Sequence, residues 1–378
     1  MPFHKGILPR EGFYADVVYR LIDRTVLNPN LLLPLVLLAR YTKRGEDLSI
    51  LHPKAFTRLK RLFYFSLLRA TYRWLSDKQR NHWSNDRYDW SREIVVITGG
   101  SSGIGAQMVK FFDEQGVKVV IIDVNPPSFH TTSGRVRHYI CDIRSYEAVA
   151  EVAAKIRNDV GSPTVLINNA GIFHGKSILN AEKKDIELTF AVNTLSHYWL
   201  TKAFLPDMIT RNHGMIVTVA SLAAHMTAPN MVDYAASKAA ALAFHEGLTA
   251  EIRTNYKATK IRTVVVQPGH IKTPLFEGFS ANSPWSMPSL HPDTLAEAVV
   301  KQVLTGRSGN VILPLGGNAV PIIRVISDFD SIRARVKGST FTQNWSGQTH
   351  VKGREEAMNR KQDADPSESG ILLVDEEK

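Results

Sequence analysis

A chain of 378 residues, 44% of them apolar, can bury a large core as one α/β domain with appendages or as two domains. Its single cysteine, Cys141, excludes an internal disulfide and suits a reducing compartment, such as the cytosol or a cytosol-facing membrane surface. The net charge of +10 sits at the N-terminus: residues 1–92 carry 17 Lys/Arg against 8 Asp/Glu, and residues 93–378 carry 29 against 28. That distribution argues against a nucleic-acid footprint over the body and for a basic arm meeting an anionic surface.

Residues 1–92 show no alternation of strands and helices but carry two apolar patches. The first, Leu31 to Ala39, is nine residues long, and as a helix it reaches only about 14 Å against about 30 Å of bilayer core, so it does not span alone. The second, Phe56 to Leu75, interleaves aromatics and leucines with Arg58, Lys60, Arg61, Arg69 and Arg73. Such a mixture reads as an interfacial membrane helix with snorkelling arginines; the other reading is a helix packed on the body with a solvated basic face. A secretory signal fits poorly, because Glu11, Asp16 and Asp23 precede the leucine run and no small-residue cleavage site follows it. Residues 81–92, polar and aromatic, read as a linker.

From Ile94 the pattern becomes regular. Val95 to Thr98 reads as a buried parallel strand running into Gly99, Gly103 and Gly105, which open a helix from Ile104 to Gln115. Glycines at a strand-to-helix turn let backbone approach a pyrophosphate at the positive end of the helix. The strand Val117–Asp123 follows, ending in an acid about 20 residues past the loop, where an adenosine ribose diol is gripped. Asp123 would repel a 2′-phosphate, and Ser101, Ser102 and Val124 supply no base, so NAD is expected over NADP. Next come strand His138–Cys141, helix Tyr146–Val160, strand Thr164–Ile167, helical patterning from about Lys183 to Thr210, and strand Met215–Ala220. Helix Tyr234–Asn255, strand Ile261–Gln267, helix Pro292–Leu304 and strand Val311–Leu313 complete a doubly wound parallel sheet, an α/β Rossmann architecture with helices on both faces. Beyond Pro314, Ile322 to Val336 reads as one amphipathic helix, and Val351 to Lys378 as a disordered tail.

Tyr234 and Lys238 stand four apart on one helix face, so an ammonium beneath the phenol is expected to lower the Tyr234 pKa toward working pH and make it a general acid/base. Ser221, at the C-terminal end of its strand, converges on the same cleft. Asn193, polar among apolar neighbours, either serves that cleft or bonds a buried carbonyl. His197, His225 and His270 lack metal-ligand spacing and read as packing or pocket-lining residues, so no metal is expected. Phe276 to Pro284, with Gly278 and Ser280, reads as a substrate lid.

Thr98-Gly-x-x-x-Gly-x-Gly105, Asn168-Asn-Ala-Gly171, Asn193, Ser221, Tyr234-x-x-x-Lys238, and Pro268-Gly269 with Thr273 stand in order over about residues 93–315. In these the sequence resembles the short-chain dehydrogenase/reductase family. The resemblance implies that Tyr234 is the acid/base, that Lys238 holds the nicotinamide ribose and tunes Tyr234, that Ser221 positions the substrate oxygen, and that Asn193 supports a relay water. It further implies cofactor contacts from Gly99, Ser102, Gly103, Ile104 and Gly105 around the pyrophosphate, Asp123 on the ribose, and Asp142 and Ile143 at the adenine edge. Asn169, Gly171 and Pro268 would line the cofactor and Thr273 would reach the carboxamide.

Ala191-Val-Asn-Thr-Leu-Ser-His197, Thr201-Lys-Ala-Phe-Leu-Pro206, Arg211-Asn-His-Gly214 and Phe244-His-Glu-Gly-Leu248 resemble the branch of retinol dehydrogenases and lipid-droplet 17β-hydroxysteroid dehydrogenases. That resemblance implies hydride transfer between NAD(H) and a lipophilic alcohol or ketone, at an endoplasmic reticulum or lipid-droplet surface, with the catalytic domain facing the cytosol. It also brings a homodimer within expectation. An NADPH-dependent keto-lipid reductase and a non-catalytic nucleotide-binding surface protein are the alternatives. Four divisions are expected: residues 1–92, 93–315, 316–350 and 351–378.

Overall fold

The computed structural model describes residues 3–6, 8–127, 129–130, 133–279 and 283–338. Helices α1 (Ala15–Arg24), α2 (Pro29–Tyr41), α3 (Lys43–Leu51) and α4 (Pro53–Arg80) come first. They are followed by β1 (Ile94–Thr98), α5 (Gly103–Glu114), β2 (Lys118–Asp123), β3 (Val136–Ile140), α6 (Tyr146–Asp159) and β4 (Val165–Asn168). Then come α7 (Lys183–Phe190), a π-helical turn at Ala191–Leu195, α8 (Ser196–Arg211), β5 (Gly214–Val219), α9 (Val232–Thr254) and β6 (Ile261–Pro268). The order closes with α10 (Pro292–Leu304), β7 (Gly309–Leu313) and α11 (Asp328–Lys337).

Seven strands pair in parallel in the order β3-β2-β1-β4-β5-β6-β7, so the strand order reverses between β1 and β4, where such sheets hold ligands beyond their C-terminal ends. The strands are near-continuous Val/Ile runs because both faces are covered. Val95, Ile97, Val217 and Val264 pack toward α5 and α10, while Val96, Leu166 and Ile216 pack toward α6, α8 and α9. The doubly wound Rossmann sheet expected from the sequence is the fold observed.

The helical stretch expected from about Lys183 runs without a break to Arg211, with one change of winding inside it. At Ala191–Leu195 it widens to a π turn around Asn193, whose amide reaches out of the helix to Ile172 and Ser237. Ile322 to Val336 is not one helix. A 3₁₀ stretch, Leu315–Arg324, contains Pro321, which cannot donate to a helical ladder, and α11 begins anew at Ser327, whose hydroxyl accepts from the Asp330 amide. The 351–378 tail lies outside the described residues.

Residues 81–92 are a clasp, not a linker. The Arg262 guanidinium, 1% exposed, donates to the carbonyl of Asn81 at 3.0 Å, of Ser84 at 3.0 Å and of Thr259 at 3.2 Å. Tyr88 donates to the Gly214 carbonyl at 2.6 Å and Trp90 to that of Leu304 at 3.1 Å, with the two rings stacked. His213 sits between Asp86, at 2.6 Å, and Glu93, at 3.3 Å. The aromatic residues that break helix and strand periodicity are spent on docking.

The chain leading into α1, together with its first turn, is also tied down. Tyr14 enters the core, and the buried Asp16 carboxylate accepts from the Leu315 amide at 2.9 Å. Glu11 accepts from the His291 amide and the Thr294 hydroxyl at the start of α10. The basic face of α4 is only partly solvated, since Arg69 and Arg73 both pair with Asp23 of α1. No single helix among the described residues is long and apolar enough to cross a membrane, although α1 and α2, bent by 46°, together pass on length and composition.

Replacing Arg262 with Ala orphans several buried carbonyls at once and is expected to cost about 2–4 kcal/mol, read as a lower urea midpoint at unchanged slope. His213 gains a pH signature. The Glu93 hydrogen bond, followed by that of Asp86, raises its pKa above the ordinary 6.5. The ion pairs therefore stabilise fully below that value and fade as pH rises through the raised one. Between pH 6 and 8 the wild-type urea midpoint should fall relative to that of His213→Gln; parallel curves would refute this.

Candidate active site

The strand β1 ends in a turn whose shape requires glycine. Gly103 has φ +57°, and a Cβ on Gly105 would lie 2.1 Å from the Gly99 carbonyl oxygen. Asn169 braces this turn from β4: its side-chain amide donates to the Thr98 carbonyl at 2.9 Å, and Thr98 Oγ1 accepts from the Asn169 and Ala170 amides. Thr98, the last residue of β1 and the first of the Thr98–Gly105 motif, thus ties the turn to the end of β4. Ser102 is the N-cap of α5 and Ile104 lies in its first turn, so the helix opens its unpaired amides toward the cleft. The Thr273 methyl lies 3.7 Å from where a Gly103 Cβ would stand, placing Thr273 across from the turn.

At the tip of β2, the mostly buried Asp123 accepts from the Ser101 amide at 3.1 Å and the Asn125 amide at 3.1 Å. Its carboxylate is fixed beside the glycine turn and keeps lone pairs for further donors. Past β3, Asp142 is held by its neighbour Arg144, with Nε and Nη2 at 2.8 and 2.6 Å from one carboxylate oxygen, and Ile143 is buried. These groups, with Gly99 packed on Ala170, form a cradle that fits a dinucleotide: bare backbone, a helix start and a fixed acid.

The second half of the site comes from β5 and α9. Ser221 caps the short turn after β5, its hydroxyl directed to the Pro268 carbonyl at 3.3 Å and hydrogen-bonded to the Tyr234 side chain. Lys238, one turn past Tyr234, donates Nζ to the Val219 carbonyl at 2.9 Å and lies 5.8 Å from the Tyr234 ring centre. Asn193 Oδ1 and Lys238 Nζ both lie 3.4 Å from where a Gly171 Cβ would stand, so one bare glycine faces both. The Asn193 side chain accepts from the Ile172 amide at 2.8 Å and donates to the Ile172 carbonyl and to Ser237 Oγ, each at 3.0 Å. It therefore fastens the strand-end loop to α9, which is the carbonyl-bonding reading of this residue.

The expected lowering of the Tyr234 pKa does not occur. Burial pushes the phenol up to about 12, against the pull of Ser221, and pushes Lys238 down to about 8. Desolvation disfavours both charged forms, and the Lys238 ammonium spends its bond on Val219 rather than on the phenol. An uncharged phenol is ready to donate, and an amine near 8 exchanges protons at working pH.

Around Tyr234 stand aromatic walls: Phe173 at 5.2 Å and Phe276 at 5.9 Å between ring centres, with Phe279 beyond Phe276 at 5.9 Å. His270 packs at 4.5 Å on Phe279, and burial lowers its pKa to about 4, so it is a neutral wall at pH 7. Phe276 and Phe279 fall in the lid stretch read from the sequence; Ser280 lies outside the described residues. Phe173 was missed, though its place just past Asn168-Asn-Ala-Gly171 put it at the same strand end. Among the described residues no cluster of His, Cys, Asp or Glu could hold a metal ion.

The short chain dehydrogenase family matches residues 93–283. Dehydrogenase RED2 of Cochliobolus heterostrophus is 45% identical over 201 residues, 53% of this chain and 76% of that protein. Epidermal retinol dehydrogenase 2 of Mus musculus is 37% identical over 229 residues, 58% of this chain and 74% of that protein. Among solved structures, a short chain dehydrogenase from Burkholderia cenocepacia in complex with NADP superimposes with a TM-score of 0.54 at 26% identity, covering 64% of this chain and 96% of that one. The chain belongs to the short-chain dehydrogenase/reductase family, as an oxidoreductase with a nicotinamide dinucleotide cofactor, in the branch of the retinol and estradiol 17-beta dehydrogenases.

Proposed function

We propose that this protein is an NAD-dependent dehydrogenase of lipophilic alcohols, retinoid, steroid or another lipid, working at a membrane surface. The observation that carries the reading is the Ser221–Tyr234 hydroxyl pair beside a cluster of aromatic rings, one turn from Lys238. Bound in that cradle, the nicotinamide supplies the site that accepts or returns a hydride. Ser221 holds the substrate oxygen, and the Tyr234 phenol gives it a proton in reduction, while in oxidation the minor phenolate form of Tyr234 takes one. Phe173, Phe276 and neutral His270 exclude water and accept an apolar substrate better than a charged one. Asp123, beside the cradle, supports NAD over NADP, because a carboxylate repels a 2′-phosphate.

The membrane reading rests on α2 and α4, where Leu31, Leu33, Leu35, Leu38, Phe65, Leu68 and Tyr72 stand exposed beside lysines and arginines. An apolar face rimmed with bases fits an anionic interface, and the endoplasmic reticulum or lipid droplet, with the body in the cytosol, is the matching location. A homodimer through α8 and α9 is the assembly the family resemblance suggests.

Three outcomes test these statements. With NAD and a panel of retinol, steroid alcohols and long-chain alcohols, Tyr234→Phe should lose at least ~100-fold in kcat; wild-type turnover in that variant would end the mechanism. The wild type should favour NAD over NADP in kcat/KM by about tenfold or more, and Asp123→Ser should narrow the ratio; NADP equal to NAD in the wild type would overturn the Asp123 reading. Because residues before α1 dock on the body, membrane contact is best tested by Leu33→Glu with Leu38→Glu and Leu68→Glu. These should release the folded protein from anionic vesicles in flotation, and continued flotation would place the contact elsewhere.

A further inference from the structure

The turn that carries Ser221 is held by a side chain from beyond residue 283, where the match with the family ends. Past β5 the backbone leaves the sheet ladder and makes one short 3₁₀ turn, Leu222–Ala224, whose own hydrogen bonds are poor. Ser221 Oγ accepts from the Ala223 amide at 3.1 Å, so the hydroxyl goes where this turn goes. Ala224 and His225 close the turn, and both of their carbonyls accept from Arg324, the last residue of the 3₁₀ stretch Leu315–Arg324. Arg324 Nη2 lies 2.6 Å from the Ala224 carbonyl and Nε 3.1 Å from that of His225. A cation there meets the negative end of the turn's peptide dipoles, and a two-pronged guanidinium fixes direction as well as distance.

The other side of the turn is fastened to the sheet. His225 donates Nε2 to Gln267 Oε1 at 2.6 Å, and the buried Gln267 donates to Asn310 Oδ1 of β7 at 3.1 Å. Gln267 precedes Pro268, whose carbonyl faces the Ser221 hydroxyl. A Cβ on Gly317 would lie 2.7 Å from the Leu222 side chain, so the stretch that bears Arg324 rests directly on the turn. That stretch is anchored at its start by the N-terminal segment. The Asp16 carboxylate, 1% exposed, accepts from the Leu315 amide at 3.0 and 2.9 Å through its two oxygens.

We propose that Arg324 is a positioning residue for this enzyme: it clamps the turn that aims the Ser221 hydroxyl at the substrate oxygen, and Asp16 holds the stretch that delivers it. This rests on the dehydrogenase reading above, in the role given to Ser221. Arg324 acts through the backbone of Ala224 and His225 and not by contact with the reacting atoms. Both extensions of the chain thereby bear on the geometry of one hydroxyl.

In NAD-coupled alcohol oxidation, Arg324→Ala should lose about tenfold in kcat with KM and NADH affinity little changed. Arg324→Lys should recover only part of that rate, because an ammonium lacks the second prong. Arg324 stands at the surface, so guanidinium ion well below denaturing concentration should restore rate to Arg324→Ala where sodium chloride at equal ionic strength does not. In a Ser221→Ala background the Arg324→Ala change should cost less than about twofold, because the group it aims is gone. A full loss in both backgrounds would overturn the proposal, and so would wild-type kcat in Arg324→Ala. Hydrogen exchange reads the clamp without substrate. The peptide covering residues 221–231 should exchange about tenfold faster in Arg324→Ala, and faster also in Asp16→Ala, while β1 exchanges as in the wild type. Unchanged exchange there would overturn the clamp whatever the activity. Wild-type silence toward every alcohol, with exchange responding as stated, would instead refute the dehydrogenase reading and the positioning role with it, and leave the clamp on the turn standing.

Discussion

The amide of Asn193 holds together parts that otherwise have no reason to meet. It lies in a π turn, fully buried, and binds the backbone of Ile172 on one side and Ser237 on the other. Ile172 follows the loop that braces the glycine turn, and Ser237 precedes Lys238. The geometry between the glycine cradle and Lys238 therefore depends on three buried hydrogen bonds within about 3 Å. In a low-dielectric interior such bonds are strong when complete and costly when one is lost, which gives the arrangement its stiffness.

Much of the site could be read from the sequence because backbone demands leave marks. Gly103 and Gly105 stand where side chains cannot fit, and β-branched runs around Val96 and Val217 leave little choice but a buried parallel strand. Asp123 was legible from its position at a strand tip. Charge behaviour was not. The spacing of Tyr234 and Lys238 puts them on one face, but spacing does not reveal that Val219 takes the ammonium or that burial dominates both groups. The break between Arg324 and Ser327 was missed because apolar periodicity continued across it, although Pro321 and Ser327 were local stop and start signals.

The N-terminal segment shows the same limit at larger scale. Composition distinguishes its basic, aromatic character from the even charge of the body, but docking depends on partners far away in sequence. Arg262 is one such partner: read locally it is an odd charge at the start of a buried strand, and only the arrival of Asn81 and Ser84 explains it. Tyr88 and Trp90 likewise look like loop residues until Gly214 and Leu304 are brought beneath them.

The same docking bears on the edge of the sheet. Strand β7 is an end strand, and an unpaired parallel edge is an invitation to another chain. Asn81 accepts from the Ser308 amide just before it, and Asp16 accepts from the Leu315 amide just after it. The N-terminal segment thus pins both ends of a strand only five residues long. A strand so short and so anchored offers a foreign strand little ladder to extend, so the segment whose helices α2 and α4 expose leucines and aromatics also helps keep the sheet from growing.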